Sequence, residues 1–226
     1  MRDDLVPLVL TVVSGVCWTI VYVEGIRVGL RDRSYAMPFW ALALNFAWEV
    51  LHSVVGYQQR GLDLQIGING LWGLLDCGIL YTYFRYGRAH FPAGLPGSWF
   101  AMWALLGLLT AFLLQYAFIV EFGLLAGRAY AAFPQNLLMS VLFIAMLVQR
   151  RSSVGQSMTI AVSKWVGTLA PTILFGVVGG EGFPGPSPLI LVTGLLCSVF
   201  DLIYVAMLAR VRARERSGEP AAAGCW

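Results

Sequence analysis

The sequence predicts an all-α protein, a seven-transmembrane-helix bundle with its N-terminus outside and its C-terminus cytoplasmic. Three observations carry that reading. Hydrophobic residues make up 58% of the 226 positions and charged residues only 12%, against about 25% charged in a soluble domain. Apolar runs of the roughly 20 residues needed to cross a bilayer recur along the chain. The arginines collect in alternate connections between those runs. The runs are continuous and rich in Leu, Ala and Gly, without the alternation of barrel strands. A helix satisfies its own backbone groups where no water can, so helices follow.

The seven expected spans are 6–26, 37–56, 68–86, 98–117, 130–148, 157–178 and 188–209. The first starts after Met-Arg-Asp-Asp, which is not the basic start of a cleaved leader, and it is long enough to span. The fourth follows Phe91-Pro-Ala-Gly-Leu-Pro-Gly97, and the seventh follows Gly182-Phe-Pro-Gly-Pro-Ser-Pro188. Prolines so dense forbid a helix and mark turns. Arg27, Arg31, Arg33, Arg85, Arg88, Arg150, Arg151, Arg210, Arg212, Arg214 and Arg216 fall on one side, and only Arg2, Arg60 and Arg128 on the other. Eleven against three, with Lys164 inside a span, orients the chain by the positive-inside rule. The net charge of +3 therefore reflects topology and gives no reason to expect nucleic acid. One domain is expected over 1–210, with a disordered cytoplasmic tail over 211–226. The loops leave no room for a second folded unit. The high Ala, Gly and Arg content points to a bacterial cytoplasmic membrane. Cys17, Cys77 and Cys197 lie in spans as small packing residues, and no Cys/His group has zinc spacing.

Three carboxylates lie deep in apolar spans: Glu49, Asp76 and Asp201. Such residues are costly in a bilayer, so they face the protein interior and usually serve a function. At about 1.5 Å per residue, Glu49 and Asp76 lie roughly 12 Å from the outer ends of their helices and Asp201 roughly 20 Å. Lys164 has a depth comparable with Asp201, so the two are candidates for a buried ion pair, with a snorkelling Lys164 as the alternative. Asp76 either lines the interior or holds neighbouring helices by a hydrogen bond. Glu24, near the cytoplasmic end of its helix, reaches the interface or pairs with Arg27. Glu49 has no obvious cation at its depth, and His52 one turn away is a possible partner. A buried carboxyl without a cation favours its protonated form, which makes it a potential proton donor. Trp18, Trp48 and Trp72 lie deeper than the belt positions of Trp40, Trp99 and Trp103. Aromatic faces stabilise positive charge, so an aromatic-walled cavity with an acid suits a cationic intermediate.

Trp48-Glu49 in the second span, Leu71-Trp72 with Asp76 in the third and Asp201-Leu-Ile-Tyr204 in the last resemble the small integral-membrane terpene cyclases. These are the paxilline- and pyripyropene-type cyclases of fungal indole-diterpene and meroterpenoid pathways, with related actinobacterial enzymes of the drimentine type. The resemblance covers essentially the whole chain. It implies that Glu49 and Asp201 are the essential acids in one cavity, supported by Asp76. Trp48, Trp72, Trp18, Tyr204 and Lys164 would hold the substrate. The implied reaction is protonation of a terminal alkene or epoxide on the prenyl tail of a prenylated aromatic or indole, then a cation cascade and proton loss. No Asp-rich diphosphate-binding motif and no Asp-x-Asp-Asp is present, so no metal site and no cofactor are expected. The expected partners are an apolar prenylated substrate and the lipid bilayer. The competing reading is a seven-helix small-solute or proton-coupled transporter. Pro134-Gln135 resembles one half of a carrier signature, but the first half of the chain has no second Pro-Gln. A rhodopsin-like photoreceptor needs a lysine in the last span, and none is there.

Overall fold

The computed structural model describes residues 5–218. Among them it is all-helical. The helices are α1 Leu5–Arg31, α2 Phe39–Arg60, α3 Leu64–Tyr86, α4 Gly97–Arg150, α5 Met158–Ile173 and α6 Pro188–Ser217. A 3₁₀ turn, Gly87–His90, follows α3, and a π turn, Leu174–Val178, continues α5. Local chemistry sets the ends. Asp63 caps α3 by accepting from the Ile66 N–H at 2.8 Å, and Ser157 caps α5 by accepting from Thr159 at 3.2 Å. Pro188 occupies the first turn of α6, where its missing N–H does no harm. Pro171 removes a backbone donor from α5, and the π turn begins three residues later.

Five described helices are long and apolar enough to cross a membrane: α1, α2, α4, α5 with its π turn, and α6. The sequence reading counted seven spans, and the difference arises at two places. Helix α3 carries the polar residues Gln65, Asn69 and Asp76, which lower its hydropathy; Asn69 and Asp76 face the interior, at 1% and 0% exposed. Helix α4 is a single 54-residue element holding two expected spans. A straight helix of that length would reach about 80 Å. Instead Gly123 adopts φ 74°, ψ 169°, and the chain doubles back. Gln115 Nε2 donates to Gln135 Oε1 at 2.6 Å, although a straight helix would hold them about 30 Å apart. Only a hairpin brings them together.

Packed neighbours close a ring: α1 against α3 and α5, α5 against α6, α6 against α4, α4 against α2, and α2 against α3. The outer surface is apolar, with Val9, Val12, Leu74, Leu105, Leu113 and Val199 all at least half exposed, as lipid contact requires. Arginine-rich segments meet at one end of the ring. There Arg150 Nη1 donates to the Tyr35 carbonyl at 3.0 Å and lies over its ring at 4.3 Å. Glu24 holds Arg27 through two bonds of 2.6 and 2.7 Å, the pairing offered by their spacing. Helix α6 continues past the expected boundary at 210 to Ser217, because Glu215 accepts from the backbone N–H and hydroxyl of Ser153 and ties it to the α4–α5 loop. Residues 219–226, the rest of the expected tail, lie outside the described residues, as do Asp3 and Asp4.

Candidate active site

A cavity of about 530 Å³ fills the ring, within the range of small-molecule sites. Its wall follows helical periodicity. Helix α1 contributes Pro7, Thr11, Ser14, Trp18 and Tyr22, and α2 contributes Asn45, Glu49, His52, Gly56 and Arg60. These are single stripes at three- and four-residue spacing. Trp72 of α3, Phe133 and Gln135 of α4, and Thr168 and Phe175 of α5 and its π turn complete the wall. Arg60, Asp63 and Glu181 mark the mouth, at the end opposite the arginine-rich one. Tyr22, Asn45 and Gln135 mark the floor.

Aromatic rings wall the deep part. Trp18 and Trp72 flank Tyr22 with ring centres 6.1 and 5.8 Å away. The Trp72 indole donates to Thr19 Oγ1 at 3.0 Å, and the Trp48 indole donates to the Arg128 carbonyl at 2.9 Å. Each ring is thereby fixed in orientation.

Glu49 is 1% exposed and lies at the end of a directed chain of hydrogen bonds. The Leu44 carbonyl sets the direction, because a carbonyl only accepts. Gln115 Nε2 donates to it at 3.3 Å and to Gln135 Oε1 at 2.6 Å. Gln135 Nε2 then donates to Asn45 Oδ1 at 3.0 Å. Asn45 Nδ2 donates to the Tyr22 hydroxyl oxygen at 2.7 Å and to Asp76 Oδ2 at 2.9 Å. The Tyr22 proton is left to donate to Glu49 Oε1 at 2.8 Å. Glu49 Oε2 has no partner among the described residues. Asp76 is thus placed behind the wall, where it holds Asn45.

The expected residues separate into two groups. Glu49, Trp18, Trp48 and Trp72 line the cavity. Asp201, Lys164 and Tyr204 do not, and none of the lining residues comes from α6. Lys164 Nζ donates to Asp201 Oδ1 and Oδ2 at 2.7 and 2.9 Å and to Ser140 Oγ at 2.7 Å. Both charged side chains are almost fully buried. The ion pair therefore clamps α4, α5 and α6 together one turn beyond Asn136 and Thr168 of the cavity wall. Tyr204 donates to Gln156 Oε1 at 3.0 Å and packs on Phe143. The structure thus corrects the expectation of one cavity lined by both Glu49 and Asp201. It also corrects the pairing of His52 with Glu49, since His52 Nδ1 bonds the Trp48 carbonyl at 2.9 Å.

Tyr22, Asn45, Gln115 and Arg128 were not singled out from the sequence. Tyr22 stands four residues after Trp18, and Asn45 four before Glu49. That spacing is the signal that places them on the same faces. Gln135 belongs to the Pro134-Gln135 pair weighed for a carrier; here it carries the hydrogen-bond chain toward Glu49.

Residues 4–214 match the Pyr4-like transmembrane terpene cyclases. The chain belongs to this family. It is 31% identical to the Pyr4-family terpene cyclase mfmH of Annulohypoxylon moriforme over 173 residues, covering 74% of this chain and 68% of that one. Terpene cyclase nodB of Hypoxylon pulicicidum is 30% identical over 214 residues, covering 91% and 86%. Terpene cyclase pyr4 of Aspergillus fumigatus is 26% identical over 211 residues, covering 91% and 87%. The family and the apolar helices make this a multi-pass membrane protein and a terpene cyclase homologue, and the carrier reading is not favoured. These relatives are fungal, so the bacterial origin expected from composition finds no support in them.

Proposed function

We propose that this membrane terpene cyclase is acid-initiated and metal-independent, and that Glu49 is its proton donor. The observation that carries this is Glu49 in the wall of an aromatic cavity, with Tyr22 occupying one carboxyl oxygen and the other unpartnered. Because Oε1 accepts from Tyr22, the acidic proton belongs on Oε2. It passes to the terminal epoxide oxygen or alkene carbon of a prenyl tail. Each cation formed is then captured by the electron pair of the next alkene, and loss of a proton from the last cation restores the balance. The net change is an isomerisation. Trp18, Trp48 and Trp72 stabilise the cations through their ring faces. The Tyr22 hydroxyl stabilises the carboxylate that proton transfer leaves behind, because a hydrogen bond to an ionised acceptor is the stronger kind. A simple carboxylic acid suffices for an epoxide, whereas an alkene demands closer positioning.

The substrate is proposed to be a prenylated aromatic or indole, which partitions into the bilayer. Asp201 and Lys164 are proposed to act on the reaction by holding α4, α5 and α6 in place behind the cavity wall. The bundle is proposed to cross the membrane seven times, with the two arms of α4 and helix α3 each making one crossing.

The test is product analysis in membranes given a linear farnesylated indole, with and without a terminal epoxide and with chelator present. Glu49→Gln should insert normally and form no cyclised product. Undiminished cyclisation by this variant would remove Glu49 as the donor, and loss of wild-type activity with chelator would remove the metal-free mechanism.

A further inference from the structure

We infer that His52 is the terminal base of the cyclisation: its Nε2 takes the proton from the last carbocation and returns it to Glu49. This rests on the reading of Glu49 as the donor. His52 lines the same cavity, is 2% exposed and stands three residues after Glu49 on α2. At that spacing the two side chains share one face of the helix, with His52 about 4.5 Å nearer the mouth. Its Nδ1 meets the Trp48 carbonyl at 2.9 Å, and a carbonyl only accepts, so Nδ1 carries the proton. Nε2 therefore holds the lone pair of a neutral imidazole, and no donor among the described residues occupies it. The Trp48 ring, 4.8 Å away between centres, packs on the imidazole.

The other bases near the cavity are engaged. Glu49 Oε1 accepts from Tyr22, and Asp63 and Glu181 lie beside Arg60 at the mouth. Asp201 is outside the cavity on Lys164. His52 is the one imidazole among the lining residues, since His90 meets Ser34 at the arginine-rich end.

The direction of the reaction places the last cation beside it. Protonation by Glu49 starts the cascade at the far end of the prenyl tail. The floor lies just beyond, so the rest of the substrate extends toward the mouth. Each ring closure moves the cation back along the tail, toward the head. The last cation thus forms on the mouth side of Glu49, where His52 stands. There a C–H bond next to the cationic carbon breaks. Its electron pair becomes the new alkene, and its proton binds Nε2. The Trp48 ring face stabilises the imidazolium. Transfer of that proton from Nε2 to Glu49 Oε2 restores both groups, so no proton is gained or lost over the cycle. The base also selects the product, because the hydrogen nearest Nε2 is the one removed.

The test separates product choice from rate. The full-length chain in membranes, in excess for a single turnover, is given linear farnesylated indole with a terminal epoxide, and products are identified by mass spectrometry and NMR. His52→Gln keeps a donor for the Trp48 carbonyl but has no basic nitrogen. It should consume substrate at close to the wild-type rate, because protonation precedes the step it removes. The wild-type alkene should fall at least about tenfold against alkene isomers and water-captured alcohol, a positioned base contributing roughly a hundredfold or more. His52→Ala should give the same mixture. Added imidazole should restore the wild-type alkene in that variant, and pyrrole, of like shape without a basic lone pair, should not. An unchanged product spectrum in both variants would overturn the proposal and leave Glu49 as its own base. Equal rescue by pyrrole would overturn it by reducing His52 to a filler of space. Loss of substrate consumption in both variants would overturn it too, placing His52 in folding or initiation. Failure of the donor reading looks different: Glu49→Gln would cyclise undiminished, or the wild type would form no ring.

Discussion

Tyr22 decides which oxygen of Glu49 is free. Its phenol is pinned from behind by Asn45, so its proton has one destination. Removing the hydroxyl leaves both Glu49 oxygens without a donor and destabilises the carboxylate formed on proton transfer. Tyr22→Phe is therefore expected to lower kcat by about ten- to a hundredfold, in line with roughly 1.5–3 kcal/mol for a hydrogen bond to a charged group, with little change in KM. Steady-state cyclisation kinetics check this, and an unchanged kcat would detach Tyr22 from the acid. Lys164 and Asp201 call for a different measurement. Breaking a buried pair leaves one charge uncompensated, at about 3–5 kcal/mol. Lys164→Met and Asp201→Asn should each lower thermal stability strongly, and the double variant should lose much less than the sum. Additive losses would mean the two do not act as a pair. Glu49 and its tryptophans were legible in the sequence because each is an anomaly of composition at a countable depth. The separation of Asp201 from the cavity was not legible. Depth is a coordinate along a helix, whereas facing is a rotation of about 100° per residue. Helix α6 is apolar on every side, so its sequence does not mark which face turns inward.

Elements show the same division. The turns at Pro92–Pro96 and Pro184–Pro188 stand where proline density placed them, and α5 and α6 begin within a residue of the expected starts. The reversal inside α4 was expected as a break between two spans, and the structure locates its hinge at one glycine. Gly123 has φ 74° and open space where a side chain would go. A substitution there meets only backbone strain, whereas Gly127 faces the Phe118 carbonyl, 2.7 Å from where a Cβ would sit. Gly123→Ala should destabilise by about 1–3 kcal/mol, and Gly127→Ala should add a displacement of the two arms. Gly97→Ala, with neither strain nor contact, should be neutral. Thermal unfolding of the three variants checks the order. At the arginine-rich end, Asp32 accepts from the Gly155 N–H at 2.9 Å and from Arg31, so two loops share one carboxylate. The Arg31 guanidinium holds the Asp32 carboxyl below its ordinary value. A depressed folded value contributes stability that is present above the unfolded carboxylate range and is lost as pH falls through the folded value. Unfolding followed across acid pH should show Asp32→Asn lacking this part of the pH dependence, and identical pH profiles would contradict it.

At the scale of the whole molecule, the two ends of the ring are chemically unlike. One gathers Arg27, Arg31, Arg88, Arg150 and Arg212 around short loops. The other holds the cavity mouth, with Arg60 bound to Glu181. Segments far apart in sequence meet at the arginine-rich end: Asp32 with Gly155, Arg150 with Tyr35, and Ser153 with Glu215. These contacts require α1, α4 and α6 to finish, and α2 and α5 to begin, at one face. Only an even number of passages between the end of α1 and the start of α5 satisfies that, which the two arms of α4 together with α2 and α3 supply. The same argument gives the proposed topology of seven crossings. The concentration of arginine at that face is the basis of the proposed orientation, because translocating it is disfavoured. The mouth opens at the opposite end of the ring. Single cysteines placed at Gln59 and at Arg88, in a background lacking the native cysteines, should label from opposite faces with a membrane-impermeant maleimide in sealed vesicles. The position at Gln59 should react on the non-cytoplasmic side. Labelling of both from one side would break the seven-crossing topology, and labelling from opposite but exchanged sides would keep the count and invert the orientation.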